Sequence, residues 1–188
     1  EPTRKILYKA NREGIAEKFE DPSVRKSVEV DLELVGHYDK LIRNLELFLV
    51  RTAKQHDPQS FQRLRSVPGV GKILALTLLY EIHDIHRFPR VQDFASYARL
   101  VKCSKESGGK RLGTGGRKIG NVHLKRAFSE AAVLFLRNNP EGQALLAKLR
   151  RKHGKGKALS ILAHKLGRAT YHLLQREIVF DMTKFLAA

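Results

Sequence analysis

The sequence predicts an all-α protein in which a long coiled-coil or helical-hairpin region precedes a compact helical domain with a helix-hairpin-helix motif. Apolar residues recur at helical spacing through most of the chain, and breaks containing proline or glycine separate the periodic stretches. No convincing run alternates apolar and polar residues as a half-buried strand would. We therefore expect helices packed on helices in two regions, 1–62 and 63–188.

The net charge lies entirely in the second region. The 188 residues include 36 Lys or Arg and 19 Asp or Glu, which gives a formal net charge of +17. Residues 1–62 hold 11 of each sign, so residues 63–188 hold the other 25 basic and 8 acidic side chains. An excess of like charge destabilises a compact fold and is typical of proteins that bind a polyanion. Nucleic acid is the expected partner; the alternatives are an anionic membrane surface and a merely soluble basic protein.

Several other classes of protein do not fit the sequence. No apolar run approaches the length of a membrane span and no signal peptide opens the chain, so no membrane partner is expected. The single cysteine, Cys103, excludes an internal disulfide and suits a reducing cytoplasm. Because the first residue is Glu1 rather than Met, we expect a fragment or processed chain that lacks an upstream domain.

A long helix dominates the first region. Residues 3–20 can form a weakly periodic helix, and Asp21 or Ser23 is the expected N-cap of the next one, which HDP at 56–58 ends. Its apolar residues follow a heptad spacing with charged flanks, so we predict a dimer or tetramer formed through a coiled coil. A helix packed within its own domain is an equal alternative. The stripe consists of Val28, Val35, Ile42 and Leu49, with Tyr38 and Leu45 between them.

The second region opens with a helix-hairpin-helix pattern at about 63–80. Pro68 ends the first helix, and Gly69 and Gly71 permit a tight turn. The N–H groups and dipole at the start of the second helix, with Lys72, can hold a phosphate, although such a motif also serves as a plain packing corner. The residues expected to lock the helices together are Leu64, Val67, Val70, Ile73, Leu76 and Leu79. The predicted nucleic-acid contacts are Gly69, Val70, Gly71 and Lys72.

A glycine-rich loop at 103–121, CSKESGGKRLGTGGRKIGN, has almost nothing to bury. Between Arg99 and Arg126 the chain carries nine basic residues and one acid, Glu106. Glycine lets the backbone approach a ligand, and cations suit a phosphate backbone, but the P-loop register is absent. The predicted contacts in and after this loop are Lys105, Lys110, Arg111, Arg117, Lys118, Lys125 and Arg126.

Three further helices are expected after the loop. The first, 121–139, has Asn121 as its N-cap, and two more flank the sequence HGKGK at 153–157. No acidic residue occurs between Gly142 and Arg176, whereas a solvated helix face usually mixes the two signs. We therefore predict a polyanion contact that includes Arg168. The basic stripe of the last helix consists of His164, Arg168, His172 and Arg176.

Ser107 is the candidate nucleophile. A Ser-His-Asp hydrolase needs G-x-S-x-G, and a metal-dependent nuclease needs converging carboxylates; the sequence has neither. His83 and His86 lack a cysteine or acid cluster at ligand spacing, so no metal site is predicted. A serine among cations suits attack on a phosphodiester. The residues alone leave a second reading open, in which Ser107 only caps or shapes a turn.

The second region resembles the C-terminal domain of IS110/IS1111-type insertion-sequence transposases over residues 63–180. The motifs that carry this resemblance are SVPGVGKILALTLLYEIHDIHRFPRVQDFASYARLV, KESGGKR, GGRKIGNVHLKRAFSEAAVLFLRNNPEGQ and HGKGKALSILAHKLGRATYHLL. The first region is similar to the coiled coil of that family. The resemblance implies a prokaryotic DNA recombinase of the cytoplasm and nucleoid that is guided by a structured RNA. Ser107, in the E-S-G motif, corresponds to the serine that attacks DNA and forms a phosphoserine.

The sequence departs from the family pattern in two ways. The family has an N-terminal RuvC-like domain whose four acids (DEDD) bind Mg²⁺, and these residues contain neither that domain nor that set; we expect no cofactor in this chain. Residue 99 is Arg where relatives often carry a small residue. The resemblance therefore implies that this chain binds nucleic acid but is inactive in recombination by itself. The alternative is a non-catalytic helix-hairpin-helix module for nucleic-acid binding and dimerisation.

Overall fold

The computed structural model describes residues 6, 8–101, 103–115 and 119–187, with the backbone alone for 103–107 and 111–115. The chain divides into two compact units, Glu1–Arg51 and Thr52–Ala188. Eight α-helices and one β-hairpin make up the regular structure of the described part. In chain order they are α1 (Pro22–His56), α2 (Pro58–Arg65), α3 (Lys72–Ile82), α4 (Val91–Tyr97), β1 (Cys103–Ser107), β2 (Lys110–Gly115), α5 (Val122–Leu134), α6 (Pro140–His153), α7 (Lys155–Gln175) and α8 (Met182–Ala187).

Helix α1 extends from the first unit into the start of the second. It begins where the Ser23 and Val24 N–H groups donate to the Asp21 carboxylate, at 2.7 and 3.2 Å. Those hydrogen bonds from Val24 and Ser23 hold the pKa of Asp21 below its usual range, and they confirm Asp21 as the cap. The heptad stripe lies largely exposed, with 53% of Ile42 and 61% of Leu45 accessible. None of the described helices is apolar over enough of its length to cross a membrane.

The segment before α1 differs from the weak helix expected at 3–20. Its described residues form only two 3-10 turns, Lys9–Asn11 and Ala16–Lys18, which no side chain caps. Gly14 has a positive φ of 71°, a backbone angle that ends a right-handed helix. Ile15 and Ala16 are nonetheless buried, and Arg12 forms an ion pair with Asp39 of α1. This segment is therefore stabilised by tertiary packing and not by the hydrogen bonds of a regular helix.

Helix α7 is the centre of the second unit. It packs against α2, α4, α5 and α6, and Gly167 lets it approach the chain after α4 closely. A Cβ at Gly167 would clash with Leu100 Cδ1. The buried rings of Phe94, Phe128 and Tyr171 meet beside it, with Phe94 5.9–6.0 Å from the other two. This core supports the surface elements on which the predicted site residues lie.

Local sequence sets most of the helix boundaries. Asp57 accepts from the Ser60 N–H and Asn139 from the Gly142 N–H, and each cap is followed by a proline at the first helical position. Asn121 caps α5 as predicted, by accepting from the Leu124 N–H at 2.9 Å. Helix α5 ends at Leu134, earlier than the expected 139; a turn follows, Asn138 adopts a positive φ, and Asn139 caps the next helix.

The all-α class is confirmed, with one addition that the sequence interpretation missed. Strands β1 and β2 pair antiparallel within the glycine-rich segment at 103–121, which was expected to be an irregular loop. Gly108 and Gly109, with φ angles of 58° and 73°, form the two-residue turn between them. Positive φ at both central residues is the signature of a type I′ turn, which matches the twist of paired strands. A Gly-Gly pair between two short runs is itself a hairpin signal.

Candidate nucleic-acid interface

The turn between α2 and α3 divides the predicted contacts into buried and exposed residues. Gly69 has a φ of 81°, and an added Cβ would lie 2.5 Å from backbone atoms at the end of α5. Val70 is buried, whereas Gly69, Gly71 and Lys72 are exposed, so only the Cβ direction of Gly69 is blocked by α5. The turn therefore packs on α5 through Gly69 and presents Gly71 and Lys72 outward.

The start of α3 can receive an anion. Gly71 is its N-cap in an extended conformation, and no side chain caps the helix or places an acid in its first turn. Its first N–H groups therefore keep the partial positive charge of an uncapped helix start. Nothing lies within 4 Å of a Cβ at Gly71, so a ligand backbone can approach there.

The two helices of this motif pack as expected except at one residue. Leu64, Val67, Val70, Leu76 and Leu79 are buried, and together they form the apolar contact between α2, α3 and the rest of the core. Ile73 is 47% exposed, so its predicted place in the contact is wrong. It occupies the first turn of α3, and its side chain lies at the surface.

The hairpin places Ser107 at the end of β1, in register with Lys110 across the Gly108–Gly109 turn. Neither glycine would bring a Cβ within 4 Å of another group, so the turn is open to solvent. A register shift between Lys105 and Glu106 marks a bulge one residue before the tip pairs. The side chain of Lys110 is exposed. The side chains of Lys105, Ser107 and Arg111, and the whole of Arg117 and Lys118, lie outside the described residues.

Arg99 holds the base of the hairpin. It adopts a φ of 53°, and its Nε donates to the carbonyl oxygens of Ile119 and Gly120, at 2.9 and 3.0 Å. Gly120 lies so close to α4 that an added Cβ would be 2.5 Å from the Tyr97 carbonyl oxygen. The Asn121 N–H donates to that same carbonyl at 2.6 Å. These contacts join residues 97–99 to residues 119–121, which lie on either side of the segment that carries Ser107.

The Asn121 side chain extends this clamp to α3. Its Nδ2 donates to Glu81 Oε2 at 2.6 Å while its Oδ1 caps α5. The Arg87 guanidinium stacks on the Tyr97 ring at 4.7 Å. Hydrogen bonds from Asn121 and from Arg87 lower the pKa of the Tyr97 hydroxyl, in that order of effect. Sequence reasoning missed this cluster because its members come from four separate segments.

The other predicted contacts lie on two helices. Lys125 and Arg126 are exposed on the first turns of α5, and Arg168 is exposed near the middle of α7. Among the side chains that the structure describes, none of these three, nor Lys72 or Lys110, forms an ion pair. Their charge is therefore available to an external anion.

The histidines of the α7 stripe are half-buried between its arginines. Burial is the main cause that lowers the pKa of His164, and Arg168 lowers it further. Burial also lowers the pKa of His172, followed by Arg176 and Arg168. His172 Nδ1 is buried and has no hydrogen-bond partner among the described residues. A phosphate beside this stripe would favour the protonated form of both imidazoles.

A polar cleft of about 240 Å³ lies elsewhere on the second unit, between α2, α3 and the end of α7. Its carboxylates already serve the fold: Asp57 caps α2, Asp84 caps the 3-10 turn Ile85–Arg87, and Glu177 pairs with Arg63 at 3.0 Å. Within the described part of the chain, no group of three or more His, Cys, Asp or Glu side chains is arranged to hold a metal ion. The ionisable lining residues are Asp57, Arg63, His83, Asp84, His86 and Glu177.

The second unit is therefore a basic, mostly helical domain. No side chain caps the start of its helix α3, and Arg99 hydrogen-bonds across the two ends of the segment that contains the β-hairpin. Residues 61–147 match the model of the transposase family IS116/IS110/IS902. With the relatives described next, this match supports a similarity to IS110-family transposases that is centred on residues 61–147.

Three curated proteins illustrate the similarity. The chain is 32% identical over 143 residues to the transposase for insertion sequence element IS1111A of Coxiella burnetii, across 74% of this chain and 39% of that protein. It is 29% identical over 152 residues to the transposase for IS1328 of Yersinia enterocolitica, across 77% and 45% of the two chains. An insertion element IS110 protein of Streptomyces coelicolor is 33% identical over 99 residues, across 53% and 24%. The chain thus spans less than half the length of these relatives.

Proposed function

We propose that this chain is the C-terminal part of a DNA transposase that binds DNA and a structured guide RNA and supplies Ser107 as the nucleophile for strand cleavage and exchange. The observation that carries the proposal is the position of Ser107 beside the tip of a clamped hairpin, paired with Lys110, in a chain similar to a family of transposases. Such a protein would act at the nucleoid, in the cytoplasm of a prokaryote.

The proposed reaction is a transesterification. Ser107 Oγ attacks a DNA phosphorus, the new O–P bond forms as the bond to one deoxyribose oxygen breaks, and the leaving oxygen takes up a proton. The products are a phosphodiester that joins Ser107 to one DNA end and a free hydroxyl on the other DNA end. Because one phosphate ester replaces another, a hydroxyl from a different strand can reverse the step without ATP. Lys110 and the neighbouring cations would stabilise the negative charge of the five-coordinate phosphorus.

The activating groups are proposed to come from outside this chain. The base that accepts the serine proton is not assigned to any residue here. Mg²⁺ would be held by the four acids of the N-terminal domain typical of the family, because the described residues offer no fitting ligand set. When bound there, the metal would supply further charge stabilisation at the phosphate.

The nucleic-acid contacts are proposed in two groups. The uncapped start of α3, with Gly71 and Lys72, suits a phosphate of the DNA backbone. Lys110, Lys125 and Arg126 would hold the strand that reaches Ser107, together with cations of the loop whose side chains are not described. Arg168 would contact DNA or the guide RNA from α7.

Self-association is proposed to occur through α1 of a second copy. The exposed stripe at Val35, Ile42 and Leu49 repeats every seven residues, the spacing at which two helices interlock. Replacing Leu45 by Glu should shift the chain to monomer in light scattering. Leu47 is similarly exposed but lies off the stripe, so Leu47→Glu is the matched control. Equal effects of the two variants would argue against a coiled coil.

The decisive experiment uses a protein of full family length with its guide RNA and labelled DNA. Ser107→Ala should abolish the covalent protein–DNA adduct seen after denaturing electrophoresis while leaving DNA affinity unchanged. Ser104→Ala, in the same strand, is the control and should keep the adduct. Retention of adduct and recombination by Ser107→Ala would leave only a non-catalytic binding module. The 188-residue chain by itself should show no strand exchange.

A further inference from the structure

The chain repeats the sequence pattern of its helical hairpin. Residues 64–74 and 149–159 both read L-R-x-x-x-G-x-G-K-x-L. The first copy joins α2 to α3, and the second joins α6 to α7. The pattern thus occurs twice at the same structural position, a turn between two packed helices.

The two turns share a backbone feature and differ in length. Gly69 and Gly154, the first glycine of each copy, have φ angles of 81° and 79°. In the second copy Gly154 alone separates the helices, so Gly156 falls within the first turn of α7. Whereas Gly69 packs on α5, a Cβ at Gly154 or Gly156 would meet nothing within 4 Å. The second turn is therefore the more open of the two.

The second turn lies within a dense positive surface, which we call the α6–α7 corner. Six of its cations are exposed, and among the described side chains none of them forms an ion pair. No acidic residue occurs from Gly142 to Arg176 to offset them. The six are Lys148, Arg150, Arg151, Lys152, Lys155 and Lys157.

Two of these cations occupy positions that the fold itself disfavours. Arg150, Arg151 and Lys152 in the last turn of α6 interact favourably with the helix dipole. Lys155 and Lys157 lie in the first turn of α7, where the dipole repels positive charge and no acid or side-chain cap is present. Folding alone gives no reason for this arrangement, whereas a bound anion would reverse the sign of both interactions.

We propose that the α6–α7 corner binds the phosphate backbone of duplex DNA, as a second contact separate from the turn between α2 and α3. Gly69 lies against Leu134 and Phe135, shortly before α6 begins, and the corner lies at the far end of α6. A helix of 14 residues spans roughly 21 Å. The two turns are then on the order of six base-pair steps apart, a separation that one duplex can bridge. The inference rests on the proposed function, which makes DNA the partner.

The test measures the affinity of the 188-residue chain for a random-sequence DNA duplex over a range of salt concentrations. Each lost phosphate contact should reduce the slope of log affinity against log salt by about 0.9. The double variant Lys155→Gln with Lys157→Gln should therefore lower the magnitude of the slope by about 2. Its melting temperature should stay equal or rise, because the removed charges oppose the helix dipole.

Lys40→Gln with Lys54→Gln is the matched control, because it removes the same charge from exposed positions of α1. Equal slopes for the corner variant and this control would overturn the proposal. A loss confined to a structured RNA, with duplex DNA binding intact, would overturn it as well. Lys72→Gln with Lys110→Gln tests the contacts of the proposed function separately. If that variant alone lowers the slope, the DNA-binding role stands and the corner does not contribute.

Discussion

A glycine-to-alanine change can destabilise a protein through backbone strain or through a steric clash of the new Cβ. Three glycines in the two interhelical turns allow these two effects to be measured separately. Gly69 has a positive φ, and its Cβ would be 2.5 Å from backbone atoms of Leu134 and Phe135. Gly154 has nearly the same φ but open space around it. Gly71 has an extended backbone and open space. Alanine should therefore add backbone strain and a steric clash at Gly69, backbone strain alone at Gly154, and neither at Gly71.

The expected losses of unfolding free energy follow from these contacts. A non-glycine residue in the left-handed region costs about 1–2 kcal/mol. Overpacking against atoms that cannot rotate away adds about 1–3 kcal/mol, and the lower entropy of the unfolded chain returns about 0.4–1 kcal/mol. Gly69→Ala should thus lose about 2–4 kcal/mol and Gly154→Ala about 1 kcal/mol. Gly71→Ala should stay within about 0.5 kcal/mol of the parent chain, since its backbone suits alanine.

Urea unfolding followed by circular dichroism and tyrosine fluorescence measures all three variants. A loss of about 2–4 kcal/mol is a large fraction of the about 5–15 kcal/mol that holds a typical domain folded. The reasoning is refuted if Gly69→Ala and Gly154→Ala lose the same amount, because the clash with α5 would then be absent. It is equally refuted if Gly71→Ala proves the most damaging of the three.

Two further predictions concern α7 and the hairpin base. The lowered pKa values of His164 and His172 mean that the unfolded chain binds more protons, so stability should fall as pH drops below about 6.5. Urea unfolding at pH 7.5 and 5.5 checks this, and a double His→Gln variant should flatten the dependence. Arg99→Ala removes both hydrogen bonds to the Ile119 and Gly120 carbonyls, and hydrogen exchange of the Asn121 amide should become faster. Unchanged exchange would show that Arg99 does not hold the hairpin base.

Local signals account for the parts of the fold that sequence reasoning predicted. Asp21 and Asn121 act as caps, because a short acceptor side chain before a periodic segment satisfies the first N–H groups wherever the helix lies. The break at Pro68 and Gly69 follows from backbone freedom alone. The concentration of charge after residue 62 is likewise a property of composition.

Packing between distant segments accounts for what could not be predicted. Ile73 has the spacing of a core residue, yet it lies exposed because α5 and α7 cover other sides of α3 and α2. The weakly periodic segment before α1 does not form a regular helix, because Gly14 interrupts the helical backbone. Burial of Ile15 stabilises the segment instead. The clamp at Arg99 joins residues that lie 20 or more positions apart in the chain.

The sequence by itself determined the helical class, the main caps and breaks, and the segregation of charge. Each of these depends on neighbours in the chain or on simple composition. Only the tertiary structure decided that Ser107 pairs with Lys110 in the hairpin register, and that Arg99 before the hairpin bonds to Ile119 and Gly120 after it. It also decided that a side chain at Gly69 would meet the backbone of α5, whereas one at Gly154 would meet nothing within 4 Å. Those outcomes depend on contacts between segments that are distant in the chain, and the spacing of residues in the sequence does not predict which segments will pack together.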